Sequence, residues 1–156
     1  MSADGFVKQQ SVSNQKLTII PSGSGIAVKD TDTGAVLYQT SAPILAIAPQ
    51  GELTWFQKYK YRGNFVYQVV NGKLTVINEV PLEEYIKGVI PYEMSPSWHR
   101  EALKAQAVCA RSYATEQGAR HNKHGFDVCN TTHCQVYYGT GRATENSDAA
   151  VEELSL

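Results

Sequence analysis

The stretch VPLEEYIKGVIPYEMSPSWHREALKAQAVCARSYA, residues 80–114, decides the fold, because the period of the apolar residues changes at its start. Leu82, Tyr85, Ile86 and Val89 recur at i, i+3, i+4 and i+7, with Glu83, Glu84 and Lys87 on the other side, which predicts a short amphipathic helix. Pro81 suits its first position, and Pro91 should end it, since the residue before a proline avoids the helical region. A second helix should begin with Ser95 as N-cap and Pro96 as first residue, and run to about residue 120. Its small-residue stripe of Leu103, Ala107, Ala110 and Ala114 would let it lie close to a neighbour. Glu93 then stands in a proline-bounded turn between two helices.

Upstream, residues 16–80 read as short β-branched runs such as KLTII, GIAVKD, ELTWFQ and NFVYQVV, separated by PSGSG, DTG, PQG and YRGN. Such runs predict an antiparallel β region, with Asn71-Gly72 as a hairpin turn; its imperfect alternation does not choose between an open sheet and a barrel. Downstream, residues 121–142 read as an ordered Cys/His loop with one short strand at 135–138. The fold class is therefore α+β: an antiparallel β region, two helices and that loop. Residues 1–15 are expected to be flexible, 16–80 β-rich, and 81–156 helical. The ending ENSDAAVEELSL is amphipathic and acidic but lacks the usual marks of a finished helix, so the chain is expected to stop short of its domain's end.

The 156 residues, 42% hydrophobic and 19% charged, suffice for one compact unit or two small lobes. A net charge of -1 without a Lys/Arg run argues against nucleic acid as a partner. No apolar run approaches the roughly 20 residues of a membrane span, and the opening is not a signal peptide. The protein is thus cytoplasmic, or a leader has been removed.

Glu93, between Tyr92 and Met94, is expected to be partly desolvated, which would lift its pKa toward that of a general acid; the plainer alternative is a surface or capping glutamate. Lys104 and Arg111, seven residues apart, lie nearly on one line of the second helix. They could bind carboxylates or steady a developing anion, although Glu101 is placed to pair with Lys104. Glu83 and Glu84 fall on a solvated face. Tyr92, Trp98, Tyr113, Tyr137 and Tyr138 suit stacking on sugar rings as well as core packing. Cys109 should pack as a small hydrophobe, and His99 should simply be exposed. Cys129, His133 and Cys134, with His124 as fourth ligand and His121 as the alternative sequence leaves open, would satisfy tetrahedral zinc. A Cys129–Cys134 disulfide is the rival, but it accounts for none of the histidines.

The quoted stretch closely resembles the signature of the stage II sporulation protein D family, in its P-L-E-x-Y, P-x-E-M and E-A-L-K-A-Q-A-V segments. FDVCNTTHCQVYYG, residues 126–139, is similar to that family's second block. The resemblance implies a peptidoglycan lytic transglycosylase or a relative that enhances an amidase. It implies Glu93 as the catalytic acid, with the motif's cations Lys104 and Arg111 beside it as catalytic residues; Tyr92, Trp98, Gln135 and Tyr137 are expected to contact the glycan. It further implies glycan strands of the cell wall and a wall amidase as partners, an extracytoplasmic location, and in some members a Cys/His zinc site. Family domains usually continue beyond a segment of which DAAVEEL looks like the beginning. A lone acid suffices when the substrate supplies the nucleophile: the muramic 6-hydroxyl attacks its own anomeric carbon, leaving a 1,6-anhydro end, where hydrolases normally need a second carboxylate.

Overall fold

The computed structural model describes residues 16–49, 51–117 and 120–154; the expectation for residues 1–15 falls outside them. The chain divides into two compact units, whose described parts are 16–46 with 67–76, and 47–66 with 77–154. Among the described residues eight strands precede three α-helices, the α+β arrangement expected.

In the first unit β1 (Leu17–Ser22), β2 (Gly25–Asp30) and β3 (Val36–Thr40) form an antiparallel sheet in that order. The central strand β2 buries Ile26, Ala27 and Val28. Asp30 closes the β2–β3 turn by accepting from the amides of Asp32 and Thr33 at 3.0 and 2.7 Å, and its bonds to the Thr33 amide and hydroxyl hold the carboxyl below its usual range. A second sheet has the order β4 (Ile44–Ile47), β7 (Asn64–Val70), β8 (Lys73–Glu79). The β7–β8 connection is the expected Asn71-Gly72 turn, with φ of 52° and 74°, the left-handed pair that matches strand twist.

The second unit also carries a hairpin of β5 (Thr54–Phe56) and β6 (Tyr59–Tyr61). Its helices are α1 (Leu82–Glu93), α2 (Arg100–Gln117) and α3 (Glu145–Glu152). Tyr85, Ile86 and Val89 of α1 are buried as their spacing predicts, while Leu82 is 37% exposed. The stripe on α2 buries Leu103, Ala107 and Ala110, and leaves Ala114 half-buried. A short 3-10 turn, Asn122–His124, lies between α2 and α3.

Several expectations need correction. Pro91 does not end α1, which runs on to Glu93 and closes with the Met94 amide on the Ile90 carbonyl at 2.9 Å. A proline in the last turn removes a single helical bond, which a helix end tolerates better than its middle. The second helix starts at Arg100 rather than Pro96, after a turn in which the Trp98 amide reaches the Ser95 carbonyl. His99, though exposed, lies at its head, Nδ1 accepting from the Glu101 amide at 3.3 Å. Cys109 is exposed, because it sits beside Val108 on the side of α2 away from the alanine stripe. The acidic ending forms α3, opened by a capping box between Thr144 and Ser147 that satisfies two otherwise orphan amides. Residues 135–138 form no strand; the Gln135 side chain, the Val136 amide and the Tyr138 carbonyl bond to α1 and α2 instead.

One glycine shows how tightly that segment is packed. A Cβ at Gly88 would lie 2.4 Å from Cε2 of the buried Tyr137 ring. Gly88→Ala should therefore cost about 1–3 kcal/mol through overpacking, read as a lower urea midpoint at unchanged slope; an unchanged midpoint would show that the ring can yield.

Candidate active site

The last turn of α1 and residues 135–138 hold each other. The exposed Glu93 carboxylate accepts from the Val136 amide through Oε1 at 3.3 Å, and Tyr92 donates to the Tyr138 carbonyl at 3.3 Å. The partial burial expected for Glu93 is absent: as the final helical residue it projects to the surface. Among the described residues it forms no ion pair and its second oxygen has no hydrogen-bond partner.

Its neighbours in sequence behave differently. Gln135 is buried, with Oε1 accepting from the Tyr85 hydroxyl at 3.1 Å and Nε2 donating to the Ala110 carbonyl at 3.3 Å. Tyr137 is buried too, its hydroxyl on Asn78 Oδ1 at 2.8 Å and its ring against Tyr61 and Tyr85. Neither can offer a face to a sugar, so both correct the expectation of glycan contacts; they anchor the segment that carries the Val136 amide. Trp98 is 55% exposed, and its carbonyl accepts from Asn146 at 3.0 Å.

Lys104 and Arg111 both find carboxylates within the protein. Lys104 pairs with Glu101 at 2.9 Å and with Glu153 at 2.5 Å. Arg111 grips Glu83 in a fork, Nε to Oε1 at 2.8 Å and Nη2 to Oε2 at 2.7 Å, which raises the guanidinium pKa. The expectation of Glu83 and Glu84 on a solvated face is corrected as well. Both are half-buried, and Glu84 pairs with Arg62 and with the buried Lys87, which also reaches Glu152 at 2.9 Å. Burial pushes the Glu84 carboxyl up, but Lys87 and Arg62 outweigh it and hold the pKa low. The Arg111–Glu83 fork ties α2 to the first turn of α1. A double-mutant cycle on it should give a coupling of about 1 kcal/mol, the value for a well-formed, partly exposed bidentate pair; zero coupling in urea melts would count against any role in holding the helices.

An open cleft of about 450 Å³ lies beside Tyr92, lined by Trp55, Lys58, Tyr59, Lys60 and Arg142 over Gly141. Tyr138 joins it to Glu93's surroundings, stacking on Tyr59 at 5.0 Å and meeting Tyr92 edge-on at 5.5 Å. Burial lifts the Tyr92 phenol pKa against the pull of Arg142. Gly139, at φ 69°, fits where a Cβ would lie 2.0 Å from the Lys60 carbonyl; the same carbonyl accepts from the Thr140 amide at 2.8 Å. That approach brings β6 beside the turn bearing Arg142. Sequence reading passed over the cleft, whose signal is the alternation of aromatics and lysines in TWFQKYKY, residues 54–61.

The Cys/His loop gathers four ligating atoms within 4.8 Å of one another, from His121, Cys129, His133 and Cys134. His133 Nδ1 lies 3.6 and 3.5 Å from the two sulfurs, and His121 Nε2 lies 3.3 Å from Cys134 Sγ. Tetrahedral zinc at its usual bond lengths sets ligand atoms about 3.3–3.8 Å apart; these three separations lie in that range, and the two thiols and two imidazoles are the donor types zinc takes. The histidine gathered is His121 rather than His124. The two are separated by the 3-10 turn, whose rise of about 2 Å per residue leaves their ring centres 6.4 Å apart. Burial pushes the Cys129 thiol up, but hydrogen bonds from Thr131, His133 and Cys134 prevail and bring its pKa down to about 6.

The sequence profile described as Stage II sporulation protein matches residues 70–155, more than half of the chain and all of the elements that carry Glu93 and the Cys/His loop. The chain belongs to the stage II sporulation protein D family. Among relatives, the amidase enhancer of Bacillus subtilis is 47% identical over 68 residues, 44% of this chain and 9% of that protein. Stage II sporulation protein D of the same organism is 44% identical over 48 residues, 31% of this chain and 13% of that protein. An uncharacterized protein of Brachyspira hyodysenteriae is 46% identical over 94 residues, 60% of this chain and 26% of that protein. The chain thus spans about a quarter or less of the length of these family relatives. No solved structure matches it significantly. No helix of the described residues is long and apolar enough to cross a membrane.

Proposed function

We propose that this chain carries the acid of a peptidoglycan lytic transglycosylase that cuts muramic–glucosamine bonds of peptide-stripped glycan strands and leaves 1,6-anhydro ends. The observation that carries the reading is Glu93. It is an exposed carboxylate at a helix end, steadied by one backbone amide, with its second oxygen open and no cation paired to it among the described residues. In the proposed reaction Glu93 protonates the leaving glycosidic oxygen, then takes the proton of the muramic 6-hydroxyl as that oxygen closes on the anomeric carbon. The other two acids of α1 are engaged, Glu83 by Arg111 and Glu84 by Arg62 and Lys87, which favours a lone acid over the paired carboxylates of a hydrolase. Lys104 and Arg111 act in this reading as positioning residues, tying α3 and α1 to α2.

Zinc at His121, Cys129, His133 and Cys134 would be structural: four protein ligands close the coordination shell and leave no open position for chemistry. The site of action would be outside the cytoplasm, where wall glycan lies.

A second reading is favoured by the amidase enhancer among the relatives: a glycan-binding module that enhances a wall amidase, with Glu93 holding sugar. Incubation with stripped glycan strands separates the two. Soluble fragments without an amidase support the enzyme; binding without release, together with faster peptide removal by an added amidase, supports the enhancer and overturns the enzyme.

A further inference from the structure

The cleft beside Tyr92 combines two features that a neutral sugar would not require together. Of its aromatic side chains Tyr59 stacks on Tyr138, while Trp55 (65% exposed) and Tyr92 have flat rings that suit the C–H side of a pyranose ring. Its charged side chains are all cationic: Lys58, Lys60 and Arg142, three positive charges on a chain of net charge -1. No carboxylate lines it, and none is ion-paired with these three cations among the described residues. Arg62, Lys87, Arg100, Lys104 and Arg111 are each held by a glutamate; among the described cations without an ion pair, Lys58, Lys60 and Arg142 are set apart by standing together around one cleft.

The cleft cations are also placed. Lys60 Nζ sits 4.9 Å from the Trp55 ring centre and Arg142 Cζ 4.9 Å from that of Tyr92, distances at which a ring face attracts a cation. The Lys60 carbonyl, through its bond from the Thr140 amide, holds together the two backbone segments that bear them. The charged heads are therefore brought to the aromatic walls before any ligand arrives, so less side-chain freedom is lost on binding.

We infer that this cleft is a subsite for a carboxylate-bearing sugar unit, in which Trp55 and Tyr92 carry the ring and Lys60 and Arg142 take the carboxylate. The inference rests on the glycan reading above and deepens it, since removal of a stem peptide from a muramic residue exposes such a carboxylate. Three cations around one cleft match a single anionic group better than the continuous phosphate track of a nucleic acid, which asks for a basic stripe.

The test is calorimetric titration of the full chain with the disaccharide N-acetylglucosaminyl-N-acetylmuramic acid and, separately, with its neutral methyl ester. This disaccharide lacks the bond proposed to be cleaved, so binding is read apart from turnover. The free acid should bind about tenfold more tightly than the ester, as expected for loss of a charge-assisted contact, and only its binding should weaken as salt is raised. Lys60→Ala with Arg142→Ala should bring the two affinities together. Gly141→Leu, which fills the cleft floor and keeps both cations, should weaken both ligands alike, with the Trp55 indole resonance no longer shifting. Equal affinity for acid and ester, selectivity that survives the double substitution, or tighter binding of single-stranded oligonucleotide than of the sugar acid would each overturn the inference. Glycan cleavage without acid selectivity would sink this inference and leave the Glu93 reading standing; acid selectivity without cleavage would do the reverse.

Discussion

Replacing Glu93 by glutamine should lower glycan cleavage by about a hundredfold to ten-thousandfold, the usual contribution of a positioned general acid, while the fold is kept. Glu93 is exposed and makes one hydrogen bond, accepted from the Val136 amide, which a glutamine carbonyl can still accept. What the amide loses is the ability to give up a proton. Stripped strands incubated with equal amounts of folded wild-type and Glu93→Gln protein provide the measurement, with Glu116→Gln on exposed α2 surface as a control for charge. Full activity in a Glu93→Gln protein with an unchanged thermal midpoint would remove Glu93 from the chemistry.

Under the proposed zinc assignment, removal of the metal should have the largest effect on stability. A metal that binds the folded chain alone adds about 4 kcal/mol when held a thousandfold above its dissociation constant. For a chain of this size that corresponds to roughly 8–16 °C in midpoint. Chelation should produce a fall of that order, restored by added zinc. His121→Ala should abolish stoichiometric zinc, and His124→Ala should leave it, because only His121 is gathered with the two cysteines and His133. Protein purified without reductant that contains no metal and has Cys129 linked to Cys134 would contradict the assignment.

α1, the body of α2 and the β-to-α order could be read from the chain because they rest on period. Tyr85, Ile86 and Val89 recur at helical spacing and are buried at that spacing. Asn71-Gly72 could be read because its left-handed pair of φ values demands those residue types. The run ELTWFQ holds β5 as read, but β6 and its pairing with β5 escaped notice because the two-residue turn is Gln57-Lys58, with neither glycine nor asparagine, although Gln57 takes a φ of 54°. That hairpin supplies four of the cleft's side chains, so the cleft escaped with it.

The site was legible in residue type more than in placement. Glu93 stood out from its motif, but whether it was buried depended on α1 passing through Pro91. Tyr137 and Tyr92 are alike as sequence; what separates them is Gly88, whose missing side chain admits the Tyr137 ring to the core while Tyr92 faces the cleft. His121 and His124 could not be told apart without the 3-10 turn between them. Lys104 and Arg111 lie on one helix line as spacing predicts, yet which acids satisfy them depends on α3 and on the first turn of α1, neither of which local pattern reveals.

The most direct measurement is the mass of the fragments released from peptide-stripped glycan strands. Attack by the muramic 6-hydroxyl retains all atoms of the strand, so each new end should be a 1,6-anhydro sugar, lighter by one water than a hydrolysed end, and these ends should vanish in Glu93→Gln. Fragments with water added, in wild-type protein, would mean that a second carboxylate activates water and that the lone-acid account of Glu93 is wrong.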